Sequence, residues 1–418
     1  MLESSSGQAV SLACAREAFV FQSDFKKNPA MSDVQSLPLP SKPAKPLGNT
    51  AANAKRGFLR TGVQAVLVLC VIMGCLAMLE SGLRLTGRYK MSGIEGYLAP
   101  GGISFGLKKN ASKTVYWRTR SFAVHISDLG FRAPKTGPHL TGKPYYAVLG
   151  ASDVFGNGLD YEQTFVGVLA EKLAPHQVEV LNIGIGGHHL LEQSAMFEQY
   201  TKSATQAPAM VIIVLQPLFI GGYDDIHQGT TVRRGELFPE KNWRLPLAKM
   251  ILANSSASFC FFRDAIRNIQ ARYSSRGDTS VSFYVQRYST KHPIRSPEKS
   301  GDFLEKLEDL EAYIRSLGAV PVCVYCPPAG GFQLNDLVAK GELASDLVDS
   351  RFFADLVRMH CESKGVKFIN VEPLLQQRYD RGEQLNLDGD GHFNEPTSRL
   401  VGEYLYEQLK PDRQLPGK

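Results

Sequence analysis

Tyr145–Gly158 reads YYAVLGASDVFGNG. A continuous apolar run ends at Gly150, and Ser152 stands between it and the glycines at 156 and 158. A short apolar run stopped by glycine reads as a strand covered on both faces. A serine at the turn from such a strand into a helix is placed for nucleophilic attack. Its backbone N–H faces the space where an oxyanion would form. A phosphate-binding loop would need a lysine after the glycines, and none follows.

Outward from this stretch, short apolar runs alternate with amphipathic ones. Residues 164–173 read as a helix with Phe165, Val168 and Leu169 on one face, 178–183 as a strand, 190–202 as a helix and 210–215 as a strand. Residues 221–300 break the rhythm and read as an insertion, with an apolar stretch from Leu245 to Ile269. Asp302 and Glu305 then form a capping-box pair ahead of Phe303, Leu307, Leu310, Ile314 and Leu317, and Gly318 closes that helix. Strands follow at 320–325 and 366–371, and a last helix starts near Asn394. The alternation predicts an α/β domain over 143–412, a flavodoxin-like three-layer parallel sheet with helices on both faces. Ligands of such sheets bind at the carboxyl ends of the strands.

Two further motifs fall at those ends. Asn182-Ile183-Gly184-Ile185-Gly186-Gly187-His188-His189 closes the second strand. Gly187 is the candidate for a second backbone N–H toward an oxyanion, and His188 a candidate substrate contact. Asp388-Gly389-Asp390-Gly391-His392-Phe393-Asn394 directly precedes the last helix. A carboxylate near His392, from Asp390 or Asp388, would hold its tautomer and stabilise the imidazolium formed on proton transfer. The positive end of the following helix favours the neutral imidazole that a general base needs. A calcium loop would carry more carboxylates at regular spacing.

In this order the motifs resemble the SGNH/GDSL hydrolase superfamily. Members with an N-terminal membrane helix commonly carry Gly-Asp-Ser-x-x-x-Gly-x-Gly at the nucleophile, matched by 150–158 except that Ala151 replaces Asp. Their upstream Asn-x-Leu-Gly-Phe-Arg-like segment is echoed by Ser127–Arg132, their Asn-x-Gly-x-x-Gly by Asn182, Gly184 and Gly187, and their Asp-Gly-His-x-Asn by Asp390, Gly391, His392 and Asn394. The resemblance covers about residues 120–220 and 300–410. It implies Ser152 as nucleophile, His392 as base, Asp390 as its orienting carboxylate, and no cofactor or metal. The family's third oxyanion donor is an Asn after the third strand. That region here has no Asn, and Gln216 offers the same amide on a longer arm. Losing one such donor costs about 3–4 kcal/mol of transition-state stabilisation.

The N-terminal part has a different character. Residues 1–57, rich in Ser, Pro, Ala and Lys, read as a disordered tail. Residues 62–82 are apolar with no charge before Glu80 and read as a transmembrane helix contacting the lipid bilayer. Lys42, Lys45, Lys55, Arg56 and Arg60 precede it. That bias puts the N-terminus in the cytoplasm and the α/β domain in the periplasm or outside the cell. A cleaved signal peptide would have a shorter basic region and a small-x-small cleavage site. Residues 83–142 read as a connecting segment that packs on the α/β domain.

The 418-residue chain has a net charge of +6 from scattered rather than clustered Lys and Arg, and no nucleic-acid-binding motif, so no nucleic-acid partner is expected. Of seven cysteines, Cys323 and Cys326 form a Cys-x-x-Cys that reads as buried strand stopped by Pro327 and Pro328. Two functions fit these features. One is a membrane-anchored serine esterase or O-acyltransferase with a small-molecule or glycan ester substrate. The other is a catalytically impaired scaffold that binds or assembles partners in envelope polysaccharide modification.

Overall fold

The computed structural model describes residues 50–86, 96–101, 104–117, 120–135, 140–217, 230–234, 236–241, 243–273, 288–291, 295–328, 330–387 and 391–410. Helix α1 (Thr50–Leu85) leads into two hairpins, β1 (Leu98–Gly101) with β2 (Ser104–Leu107) and β3 (Ser112–Trp117) with β4 (Arg120–His125). Then come β5 (Tyr145–Gly150), a single helical turn α2 (Ser152–Phe155), α3 (Phe165–Leu173), β6 (Glu179–Gly184), α4 (Leu190–Ser203) and β7 (Met210–Leu215). The expected insertion holds a third hairpin, β8 (Thr230–Arg233) with β9 (Glu236–Pro239), and helices α5 (Arg244–Ser255) and α6 (Ala257–Tyr273). The chain continues with α7 (Pro297–Ser316), β10 (Val320–Tyr325), α8 (Gly330–Ala339), α9 (Phe352–Lys364), β11 (Lys367–Asn370), α10 (Glu372–Asp380) and α11 (Glu395–Leu409).

The central sheet is five-stranded and parallel, in the order β11-β10-β7-β5-β6. Numbered along the chain this is 2-1-3-4-5, the flavodoxin-like order, and its strand order reverses beside β5. Alternation along each strand divides the core into two layers. Ala147, Leu149, Ile213 and Cys323 face α4, α7 and α9 through Phe197, Leu307, Leu310 and Val357. Tyr146, Val148, Ile212 and Val324 face α3, α10 and α11 through Phe165, Leu169, Leu375 and Val401. Each fully buried side chain of this size contributes about 1.5–3 kcal/mol. Helices α3 and α11 approach closely because Gly402 has no side chain: a Cβ there would lie 2.7 Å from the Phe165 carbonyl oxygen.

Two boundaries differ from expectation. Helix α7 starts at Pro297, not Asp302: the Ser296 side chain accepts from the Lys299 N–H (3.2 Å), and a proline fits the first helical position, so the helix gains a turn. Helix α1 starts at Thr50, inside the expected tail, because Ala51, Ala52, Ala54, Lys55 and Arg56 all favour helix. Its segment Val63–Leu85, with mean hydropathy 2.3, is long and apolar enough to cross a bilayer, and its most apolar window is not buried against the rest of the protein. The remainder of the expected tail, residues 1–49, lies outside the described residues.

Candidate active site

Ser152 opens α2 directly beyond β5, with Gly156 (φ 80°) closing the turn as its N–H donates to the Ser152 carbonyl (2.8 Å). The turn lies flat across the ends of β5 and β6, which requires glycine beneath it. A Cβ on Gly150 would sit 2.2 Å from Val154 Cγ2, and one on Gly184 would sit 2.4 Å from the Phe155 nitrogen. Asn182 ties the turn to β6: its Nδ2 donates to the Val154 carbonyl (2.7 Å), and its Oδ1 accepts from the Gly184 N–H (2.9 Å). The glycines and Asn182 thus set the backbone that carries the serine.

The other side of the loop is held by Arg132, which is 1% exposed. Its guanidinium donates to the carbonyls of Phe155, Gly156 (2.6 Å), Leu159 and Ala123 (3.1 Å), and its Cζ lies 4.8 Å from the centre of the Phe155 ring. Burial lowers its pKa to about 10, still charged at neutral pH. This buried charge is tolerated because several carbonyl dipoles converge on it and the Asp160 and Glu162 charges favour it. The sequence carries Arg132 only as part of an upstream motif; its grip on the serine loop is tertiary and has no local pattern.

Ser152 is 5% exposed. Gly186 faces it: a Cβ there would lie 3.6 Å from Ser152 Cβ and 3.5 Å from Asn157 Nδ2. Gly186 thus adjoins both the serine and the Asn157 amide, and the Asn157 N–H donates to the Ser152 carbonyl (3.1 Å), although the sequence reading gave neither residue a role. Gly187 follows with φ 88°, a backbone state suited to glycine. His188 is 1% exposed and packs edge-on to Phe105 of β2, with ring centroids 4.7 Å apart. His189 caps α4 in a reciprocal pair with Glu192. The β1–β2 and β3–β4 hairpins form a small core of Phe105, Leu107, Phe122 and Val124 with Phe155 and Ile185.

Gln216, just past β7, is 5% exposed, and its Nε2 donates to Asp153 Oδ2 (2.5 Å). A carboxylate accepts only from the amide nitrogen, so this contact fixes the orientation of the amide. The expected oxyanion arm is thus engaged with the residue after the serine, and Gln216 Oε1 is buried with no hydrogen-bond partner among the described residues. The Cys326 thiol, beyond β10, is held well above its usual range by burial and by the Asp153 charge.

His392 stands two residues before Asn394, the N-cap of α11, whose side chain accepts from the Thr397 N–H (3.0 Å). The His392 carbonyl accepts from the Leu387 N–H (2.9 Å), and Asn386 bridges Phe393, so Leu387 and His392 lie side by side. Asp388 and Asp390, the expected orienting carboxylates, lie outside the described residues. Leu387 and Glu395, on either side of His392, are docked on the serine side: a Cβ on Gly158 would lie 2.3 Å from Leu387 Cδ1, and Gln163 Nε2 donates to Glu395 Oε2 (2.9 Å).

Among the described residues one group has metal-ligand chemistry. Glu311, Cys323 and Cys361 are buried, with ligand atoms within 4.8 Å of one another. Glu311 is already served by His360 Nε2 (3.2 Å) and the Cys323 thiol (3.5 Å). A buried carboxylate shared between an imidazole and a thiol accounts for the group without an ion.

No family model and no curated protein matches the chain. Solved structures similar to it include a member of the lipolytic protein G-D-S-L family from Veillonella parvula DSM 2008 (13% identity, 64% of this chain and 97% of that chain, TM-score 0.34). Others are TesA (15% identity, 64% and 98%, TM-score 0.35) and the acetyl xylan esterase AlAXEase (12% identity, 63% and 99%, TM-score 0.37). These TM-scores lie below 0.5, and the functional reading rests on the site's own residues.

Proposed function

We propose that the chain is a membrane-anchored serine ester hydrolase or O-acyltransferase that acts on an acylated glycan or lipid ester outside the cytoplasm. The observation carrying this reading is that Leu387, hydrogen-bonded to His392, packs against the Gly158 end of the loop that bears Ser152. In this reading Ser152 Oγ attacks the ester carbonyl while His392 takes its proton. The backbone N–H groups of Ser152 and Gly187 receive the developing oxyanion. His392 returns the proton to the departing alcohol. Water, or a sugar hydroxyl in transfer, then attacks the acyl-serine with His392 as base again. Asp390, with Asp388 as neighbour, orients the imidazole. Helix α1 supplies the anchor, with the N-terminus cytoplasmic.

The test is reaction of the purified full chain with a fluorophosphonate probe, alongside hydrolysis of p-nitrophenyl acetate. Labelling should map to Ser152 and vanish in Ser152→Ala. A folded protein that neither labels nor turns over the ester refutes the enzymatic reading.

One observation favours a second reading. Gln216 spends an amide hydrogen on Asp153, which weakens it as a substitute for the family's third oxyanion donor. A scaffold that binds acylated polysaccharide without cleaving it fits that arrangement. It predicts saturable ligand binding in a chain inert to the probe.

A further inference from the structure

Helix α1 does more than precede the α/β domain: its end is bolted to the break between α5 and α6. Glu80 Oε2 accepts from the Ser258 N–H (2.8 Å) and the Ser256 hydroxyl (3.0 Å). Glu80 Oε1 accepts from the Ala257 N–H (3.0 Å) and Arg84 Nε (2.7 Å). Arg84 Nη2 in turn donates to the Ser255 carbonyl (2.6 Å). One carboxylate thus caps the start of α6 and one guanidinium the end of α5, which bend apart by 106°. Glu80 is five residues from Leu85, or about 7–8 Å along the helix axis. The bend therefore sits level with the last turns of the apolar segment.

From the bend the two helices run on with large side chains that nothing in the described fold covers. Leu245 and Leu252 on α5, and Phe261, Phe262 and Ile266 on α6, are exposed, with the two phenylalanine rings 5.5 Å apart. Paired exposed phenylalanines with an exposed isoleucine one turn on mark a binding face rather than ordinary surface. Trp243 opens α5 with the Arg233 guanidinium 4.0 Å from its ring centre, and Arg244 and Lys249 follow. Apolar bodies flanked by tryptophan and basic residues are the composition of a helix lying in the boundary between headgroups and acyl chains. At 12 residues α5 is too short to cross a bilayer singly, and the 17-residue α6 carries Arg263, Asp264, Arg267 and Arg272, too many charges for a span.

We infer that the α5–α6 pair is a second membrane contact. It lies in the leaflet interface beside the emerging end of α1, and its partner is phospholipid with anionic headgroups. This inference rests on the reading of α1 as the anchor. The pair holds the α/β domain down on the membrane surface at a fixed height.

The test uses the full chain in nanodiscs of phosphatidylcholine and phosphatidylglycerol. A diazirine amino acid is placed at position 68 in α1, 262 in α6 or 359 in α9, where Met359 is exposed on the α/β domain. After irradiation, lipid adducts are read by mass. Adducts at 68 and 262 but not at 359 are the expected result. Adducts at 68 alone leave the anchor standing and overturn the interfacial contact. Absence of adducts at 68 overturns the anchor, and with it this inference. Adducts at 359 as strong as those at 262 also overturn it, as does protein–protein crosslinking from 262 in place of lipid, which would assign the face to a second copy of the chain.

Discussion

Leu387 occupies the space that a side chain on Gly158 would need, with Cδ1 2.3 Å from the ideal Cβ position. This contact joins the loop of the candidate nucleophile to the loop of the candidate base, and Gly158 also has φ 84°. Gly158→Ala should therefore cost about 1–3 kcal/mol in backbone strain and also displace the Leu387 loop. The expected outcome is an ester hydrolysis rate at least tenfold down at a temperature where circular dichroism shows the variant still folded. Leu387→Ala in the same background should restore part of the rate by making room.

Arg132→Met removes the donor that serves the Phe155, Gly156 and Leu159 carbonyls and leaves them buried. The expected loss is on the order of 3–5 kcal/mol, read by urea unfolding. Arg132→Lys should recover only part of it, because one ammonium cannot span the fork of carbonyls that a guanidinium bridges.

The Asn157 amide and Ser152 both border Gly186, and Gln216 is committed to Asp153. If the Asn157 amide supplies the missing donor, Asn157→Ala should lower kcat by about 10²–10³ with little change in KM. Gln216→Leu should instead act on stability, costing about 1.5–3 kcal/mol through the lost hydrogen bond to the charged Asp153 carboxylate. Equal, small effects of both variants on kcat would exclude the Asn157 role.

Glu236 on β9 has its pKa raised, chiefly by burial, with Lys113 partly offsetting the shift. A carboxyl raised in the folded state binds its proton more tightly there than in the unfolded chain. Its contribution is therefore full below the unfolded value near 4.5 and is lost as pH rises through the folded value. Melting curves should show wild type losing more stability than Glu236→Gln between pH 4.5 and pH 7.

The sequence made the sheet legible because its strands are buried on both faces. Tyr145–Gly150, Met210–Leu215 and Val320–Tyr325 coincide with the observed strands, and the strand at 178–183 is shifted by a single residue. Turn chemistry was also readable: Gly318 closes α7 with φ 75°. The start of α7 was misplaced because two local signals competed, and Ser296-Pro297 prevailed over the Asp302 and Glu305 pair. Contacts between distant segments left no mark on any local pattern. Arg132 on the serine loop, Gln216 on Asp153 and Glu80 on α6 each look like ordinary polar residues until the chain is folded.

Helix α11 packs on α3, and the His392 loop leads directly into it. The spacing between these two helices is therefore a lever on the candidate site from outside it. A side chain at Gly402 would push against the Phe165 carbonyl and Val168, and the displaced helix would carry His392 with it while leaving Ser152 and its loop untouched.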